Sequence, residues 1–142
     1  MNGSFLPETA APPRVLLVED DKISVMAVQR LIRRKAPGLE CHVAGDGLEA
    51  LQMLLGTPDL PPMPRPDLIV VDLSMPRMNG FEFLQSIAES ERAEAQNLRI
   101  VVWSCSMMPD DRDRSLRLGA ERYLVKGEDM KPLLELFAML GR

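Results

Sequence analysis

Leu68, Ile69, Val70 and Val71 form an unbroken apolar run that stops at Asp72. A run of this length, rich in β-branched residues and without polar alternation, predicts a strand buried on both faces of a parallel sheet. A carboxylate at the end of such a strand is costly to desolvate unless a cation or hydrogen bonds compensate. Open α/β sheets place their ligands at this carboxyl edge. Met75-Pro76 and Asn79-Gly80 then turn the chain toward a helix and leave Asp72 at the mouth of a loop. These features make Asp72 a candidate nucleophile.

Around this strand the pattern alternates. Residues 14 to 18, 39 to 43, 100 to 103 and 123 to 125 read as further strands. Between them, residues 22 to 35 carry Ile23, Met26, Ala27 and Leu31 at helical spacing, with Asp21 or Ser24 as a cap and Pro37-Gly38 as a stop. A second helix follows Asp46-Gly47, and a third carries Phe81, Phe83, Leu84 and Ile87 before turning polar at Glu89. The fourth starts at Pro109, has only two large apolar residues and ends at Gly119. The last presents Met130, Leu133, Leu134, Phe137 and Leu140, with Asp129 as a cap. Five strands alternating with five helices predict an α/β fold with a doubly wound parallel sheet. Residues 56 to 66 hold five prolines and read as a stiff, solvent-exposed connection. Residues 1 to 13 read as a disordered tail, and residues 14 to 142 as one domain.

Composition excludes several classes of function. The net charge of −4 and the lack of a basic cluster argue against nucleic-acid binding. Neither a secretory signal pattern nor a membrane-length apolar run is found, so a cytoplasmic protein is expected. Cys41 and Cys105 lack metal-site spacing and are expected to remain thiols. His42 follows Cys41 in a short strand and reads as an edge residue.

Strand ends in a doubly wound sheet converge, which brings Glu19, Asp20, Asp72, Ser104 and Lys126 to one edge. Three carboxylates there suit a hard divalent cation such as Mg²⁺, which accepts a few carboxylates and keeps several waters. Ser104 and Lys126 would hold oxygens of a phosphoryl group, and attack by Asp72 would yield an acyl phosphate.

The sequence resembles the receiver domains of bacterial two-component response regulators, the CheY-like superfamily. The resemblance rests on Leu-Val-Glu-Asp-Asp at 17 to 21, Val-Asp-Leu-Ser-Met-Pro-Arg-Met-Asn-Gly at 71 to 80, Ser104 after a buried strand, Leu-Gly-Ala at 118 to 120 and Tyr-Leu-Val-Lys at 123 to 126. It covers roughly residues 14 to 140 and implies a flavodoxin-like sheet of strand order 2-1-3-4-5. It also implies that Asp72 takes a phosphoryl group from a sensor histidine kinase or a phosphotransfer protein. Asp20 and Asp72 would ligate Mg²⁺ directly, Glu19 through water, and Ser74 through its main-chain carbonyl. Ser104 would be the switch hydroxyl, Tyr123 the aromatic that changes rotamer with it, and Lys126 the partner of the phosphoryl oxygens.

The implied output is binding to a downstream target protein, or homodimerisation through the 109 to 140 surface, with neither nucleic acid nor membrane as partner. Catalysis would be limited to the domain's own phosphorylation and dephosphorylation. The wording of residues 72 to 84 looks most like stand-alone regulators that partner phytochrome-type kinases. One departure stands out, because the family usually has proline after the lysine and this chain has Gly127. Glycine gives Lys126 more freedom, so slower or less stable phosphorylation is expected. Trp103 and Cys105 are also unusual flanks for a switch hydroxyl. Two rivals follow: a degenerate receiver acting as a constitutive interaction module, and a Mg²⁺-dependent phosphohydrolase. Against the second, Ser74 stands where a general acid two residues after Asp72 would be needed.

Overall fold

A computed structural model describes residues 11–127 and 129–140. Five parallel strands, β1 (Arg14–Val18), β2 (Glu40–Ala44), β3 (Leu68–Val71), β4 (Ile100–Ser104) and β5 (Arg122–Val125), form one sheet in the order β2-β1-β3-β4-β5. The helices are α1 (Lys22–Lys35), α2 (Gly47–Leu55), α3 (Gly80–Glu89), α4 (Pro109–Arg117) and α5 (Lys131–Leu140), with a short 3₁₀ turn at Ala93–Ala95. The alternation and the strand order agree with the sequence reading.

The apolar run of β3 is central because both of its faces are covered. Ile69 and Val71 pack toward Ala50 and Leu54 of α2 and Phe83, Leu84 and Ile87 of α3. Leu68 and Val70 pack toward Val28 and Ile32 of α1 and Leu133, Leu136 and Phe137 of α5. Each of these side chains except the single methyl of Ala50, withdrawn from water, contributes roughly 1.5–3 kcal/mol before chain entropy is counted. The helix ends are well specified. Asp21 caps α1 by accepting the Ser24 N–H at 3.1 Å, and Asp46 caps α2 by accepting the Glu49 N–H at 2.9 Å. Asn79 and Glu82 form a reciprocal capping box at α3.

Four expectations need correction. In α1 the face containing Ile23 and Met26 does not enter the core: they are 77% and 59% exposed, while Val28 and Ile32 are buried with Val25 and Leu31 beside them. Two apolar stripes compete on this helix, and the sheet takes the one carrying the β-branched pair. Strand β2 runs one residue later than 39 to 43, because the Leu39 N–H turns back to the Ala36 carbonyl at 3.0 Å and the pairing with β1 begins at Glu40. The proline segment is more than an exposed spacer. Met63 donates its N–H to the Met53 carbonyl at 2.7 Å and packs against the core, and Pro66 is buried. Of the expected tail, residues 1–10 lie outside the described residues, and the Pro13 carbonyl accepts the Glu40 N–H at 2.9 Å, extending the sheet's hydrogen bonding by one residue.

Gly80 shows how tightly the loop after β3 is drawn in. A Cβ there would lie 2.4 Å from the Asp72 carbonyl oxygen and 2.8 Å from the Leu73 Cα, both backbone atoms that cannot rotate away. Gly80→Ala is expected to destabilise the fold by about 3 kcal/mol, at the upper end of overpacking costs. Chemical denaturation measures this, and a variant within 1 kcal/mol of wild type, a shift of about a factor of five in the folding equilibrium, would contradict the packing described.

Candidate functional site

Strand register assembles the site. Val18 pairs with Val71, so the residues that follow them, Glu19 and Asp72, emerge side by side from β1 and β3. Ser104 pairs with Val125, so Lys126 follows immediately beside it, its N–H bonded to the Ser104 carbonyl at 2.7 Å. The carboxyl ends of four strands thus open onto one cleft of about 730 Å³, lined in part by Asp20, Asp72, Ser74, Ser104 and Lys126. The β3–α3 loop that carries Ser74 is tied back by Gly80 N–H to the Leu73 carbonyl at 3.0 Å.

Charge is concentrated at the floor of this cleft. Glu19 is 2% exposed and Asp72 8%, while Asp20 faces solvent. One oxygen from each of the three carboxylates lies within 4.8 Å of the others. Among the described residues, Lys126 supplies the compensating cation. Its Nζ lies 2.6 Å from Glu19 Oε1 and 3.3 Å from Asp72 Oδ2. Asp72 Oδ1 accepts the Leu73 N–H at 2.8 Å, and Glu19 Oε2 accepts the Asp21 N–H at 3.2 Å.

The balance of these effects sets the protonation of Glu19. Burial pushes its carboxyl up to about 7; the Lys126 ammonium and the Asp21 N–H oppose this, and the Asp72 charge reinforces it. Burial would lower the Lys126 ammonium, but Glu19 and Asp72 outweigh it and hold Lys126 above its ordinary value.

A second network leads away from the cleft. Ser104 Oγ accepts the Ser106 N–H at 3.3 Å, and Ser106 Oγ bonds Asp111 Oδ2 of α4 at 2.5 Å. Tyr123, half-buried in β5, donates its hydroxyl to the Ser106 carbonyl at 2.7 Å. Ser104 is therefore two hydrogen bonds from α4 and two from Tyr123, both routes passing through Ser106. On the opposite flank, Arg77, with φ of 59°, is held by Asp46 at 2.6 Å, and the Gly47 N–H bonds the Met78 carbonyl at 3.0 Å. The Arg77 guanidinium beside Asp46, together with the N–H groups of α2, outweighs burial and holds that carboxyl below its ordinary range.

Comparison with known proteins now bears on this arrangement. The response regulator receiver domain family matches residues 15–138. The chain belongs to that family. Response regulator Rcp1 of Synechocystis sp. is 31% identical over 132 residues, covering 92% of this chain and 88% of Rcp1. Transcriptional regulatory protein PrrA of Mycobacterium leprae is 37% identical over 114 residues, but this chain spans only 43% of PrrA's length. Among solved structures, the Mn²⁺-bound form of Rcp1 superposes with a TM-score of 0.75, covering 89% of each chain. The phosphorylated cyanobacterial phytochrome response regulator RcpA gives 0.77 at 28% identity, again over 89% of each chain.

For this receiver domain, every side chain singled out from sequence except Tyr123 lies in or against the cleft; Tyr123 reaches it through Ser106. The donor set fits a divalent cation on one observation in particular. Glu19, Asp20 and Asp72 each bring an oxygen within 4.8 Å of the others, while the described cation against them is the single Lys126 ammonium, 2.6 Å from the buried Glu19 Oε1 and 3.3 Å from Asp72 Oδ2. Three carboxylates set against one ammonium have capacity for a further hard cation, bound directly or through water. Sequence reasoning missed Ser24 as a contact of Lys126, Asp46–Arg77 as a brace, and Ser106–Asp111 as a link. The only sequence signal for Ser24 and Asp46 was their capping position, and none pointed to Ser106.

The elevated Glu19 carboxyl has a measurable consequence. Its proton is bound more tightly in the folded state, at about 7, than at the ordinary value of 4.5. Its contribution to stability is therefore fully present below pH 4.5 and lost as pH rises to about 7. In buffer free of divalent cations, wild type should lose stability relative to Glu19→Gln across that window. Denaturant titrations at several pH values measure this, and parallel pH profiles for the two proteins would contradict the assignment.

Proposed function

We propose that this receiver accepts a phosphoryl group on Asp72 and uses it to alter a protein-binding surface. The observation that carries the reading is the juxtaposition of Asp72 with the Lys126 ammonium and two further carboxylates at the floor of the cleft. The donor would be a phosphohistidine on a sensor kinase or phosphotransfer protein. An Asp72 carboxylate oxygen forms the new P–O bond, the N–P bond breaks, and the departing imidazole nitrogen takes up a proton.

Asp72 Oδ1 is held by the Leu73 N–H, which leaves Oδ2, on the Lys126 side, as the attacking oxygen. Lys126 pairs with the phosphoryl oxygens, and Ser104 Oγ leaves the Ser106 N–H to bond another. Mg²⁺, held by Asp20, Asp72 and the Ser74 carbonyl and through water by Glu19, would supply charge neutralisation for the incoming phosphoryl group. Rcp1 in its Mn²⁺-bound form and RcpA in its phosphorylated form are relatives that support this reading.

Movement of Ser104 disturbs the bonds linking it through Ser106 to α4 and Tyr123, so the output surface is the one formed by α4, β5 and α5. Helix α4 is suited to this, because its only fully buried residue is Ser115. The partner is a downstream protein or a second copy of the chain. The protein acts as a cytoplasmic signalling regulator with no turnover of other substrates, and its likeness to the phytochrome response regulator RcpA favours a phytochrome-type kinase as the donor.

Incubation with acetyl phosphate and Mg²⁺, followed by intact-mass spectrometry, should give a single phosphorylated species sensitive to alkali. Asp72→Asn should give none, and chelation of divalent cations should slow the reaction at least about 100-fold, as expected when charge stabilisation of a phosphoryl transfer is removed. An equal yield from Asp72→Asn would overturn the assignment, and an unphosphorylated wild-type chain would favour a constitutive interaction module.

A further inference from the structure

Lys126 is held by two contacts that its role at Asp72 does not require. Its ammonium has three N–H donors. Besides Glu19 Oε1 and Asp72 Oδ2, the third oxygen within reach is Ser24 Oγ, at 3.1 Å, in the first turn of α1. The Ser24 hydroxyl in turn donates to Asp21 Oδ2 at 2.7 Å, so its oxygen lone pairs are free to receive the ammonium. The same Nζ lies 4.9 Å from the centre of the Trp103 ring. Trp103 is 7% exposed and fixed in the core between the sheet and the α1–α5 layer, so its face is withheld from water, where a cation–π contact is strongest.

The backbone holds this lysine on one side only, through its N–H to the Ser104 carbonyl at 2.7 Å. Gly127 follows it, exposed, with a φ outside the left-handed region and nothing within 4 Å of where a Cβ would stand. The two carboxylates do not centre it either. Nζ sits 2.6 Å from Glu19 and 3.3 Å from Asp72, a bias away from the residue at which the phosphoryl group is proposed to form.

We propose that Ser24 and Trp103 are positioning residues that clamp the Lys126 ammonium within reach of Asp72, offsetting the freedom left by Gly127. The inference rests on the phosphoacceptor reading of Asp72 for its consequence, and on contact geometry alone for the clamp itself. A serine serving only to start α1 would not reach across 102 residues of chain to a lysine. The start of α1 keeps its backbone cap without the hydroxyl, since Asp21 Oδ2 also accepts the Ser24 backbone N–H at 3.1 Å.

The test compares wild type with Ser24→Ala, Ser24→Thr, Trp103→Leu and Trp103→Phe in the full chain. The chain has four lysines, and Lys22, Lys35 and Lys131 are exposed, so the ¹⁵N ammonium signal of Lys126 is readily distinguished by NMR. In wild type that signal should be ordered and slow to exchange. Ser24→Ala should mobilise it and slow phosphorylation by acetyl phosphate at saturating Mg²⁺ about fivefold, with the fold retained and Mg²⁺ affinity unchanged. Ser24→Thr, which keeps the hydroxyl, should restore both, and Trp103→Phe should stay closer to wild type than Trp103→Leu.

An equally ordered Lys126 in Ser24→Ala overturns the clamp, whatever the phosphorylation rate. A mobile Lys126 with an unchanged rate overturns its role in positioning. If wild type itself is never phosphorylated, the phosphoacceptor reading fails, and the NMR comparison still judges the clamp.

Discussion

The ion contacts of Lys126 with Glu19 and Asp72 are what allow the carboxyl edge of this sheet to exist as it does. Three carboxylates with oxygens within 4.8 Å of one another repel, and two of them are nearly excluded from water. A buried ion pair of this sort is weak support for stability, since desolvation offsets most of the attraction. Its presence at the floor of a cleft is better understood as a charge arrangement kept for chemistry. The Glu19 carboxyl, raised chiefly by its burial and further by the Asp72 charge in spite of the Lys126 ammonium 2.6 Å away, agrees with this: one ammonium does not offset the cost of so many buried carboxylate charges.

The fold supplies this arrangement through register. Parallel pairing of Val18 with Val71 and of Ser104 with Val125 brings together residues that are tens of positions apart, without any specific attraction among them. The edge is then braced on both flanks. Gly80 lies against the Asp72 backbone, where no side chain fits, and Asp46 holds Arg77 in a left-handed conformation just beyond it. On the other flank, Ser104, Ser106, Asp111 and Tyr123 form a chain of hydrogen bonds from the cleft to α4, the helix least anchored in the core. In the proposed function this asymmetry has a purpose, with the acceptor side rigid and the output side free to rearrange.

Much of this was legible in the sequence because it depends on pattern. The unbroken run of 68 to 71 specified a strand covered on both sides, and strand-end placement of Glu19, Asp72, Ser104 and Lys126 followed from the topology. What failed was judged one element at a time. In α1 two apolar stripes have similar spacing, and only the sheet decides that Val28 and Ile32 are buried while Ile23 and Met26 are left outside. The proline segment could not be seen as docked, since its anchors, the Met63 N–H on the Met53 carbonyl and the packing of Met63 and Pro66, follow no periodic pattern. Ser24 and Trp103 escaped notice as partners of Lys126 because their contact depends on where β5 ends relative to α1. No local signal carries that distance.

Trp103 offers the most direct measurement of the central claim, being the only tryptophan and lying 4.9 Å from Lys126 Nζ. Its fluorescence should be followed during titration with Mg²⁺ and then with a beryllofluoride phosphoryl mimic, in wild type and in Asp72→Asn. A working phosphoacceptor site predicts a change at both additions in wild type and loss of the second in the variant, as Lys126 is drawn to the new anion. Identical responses in the two proteins, or none in wild type, would contradict the account.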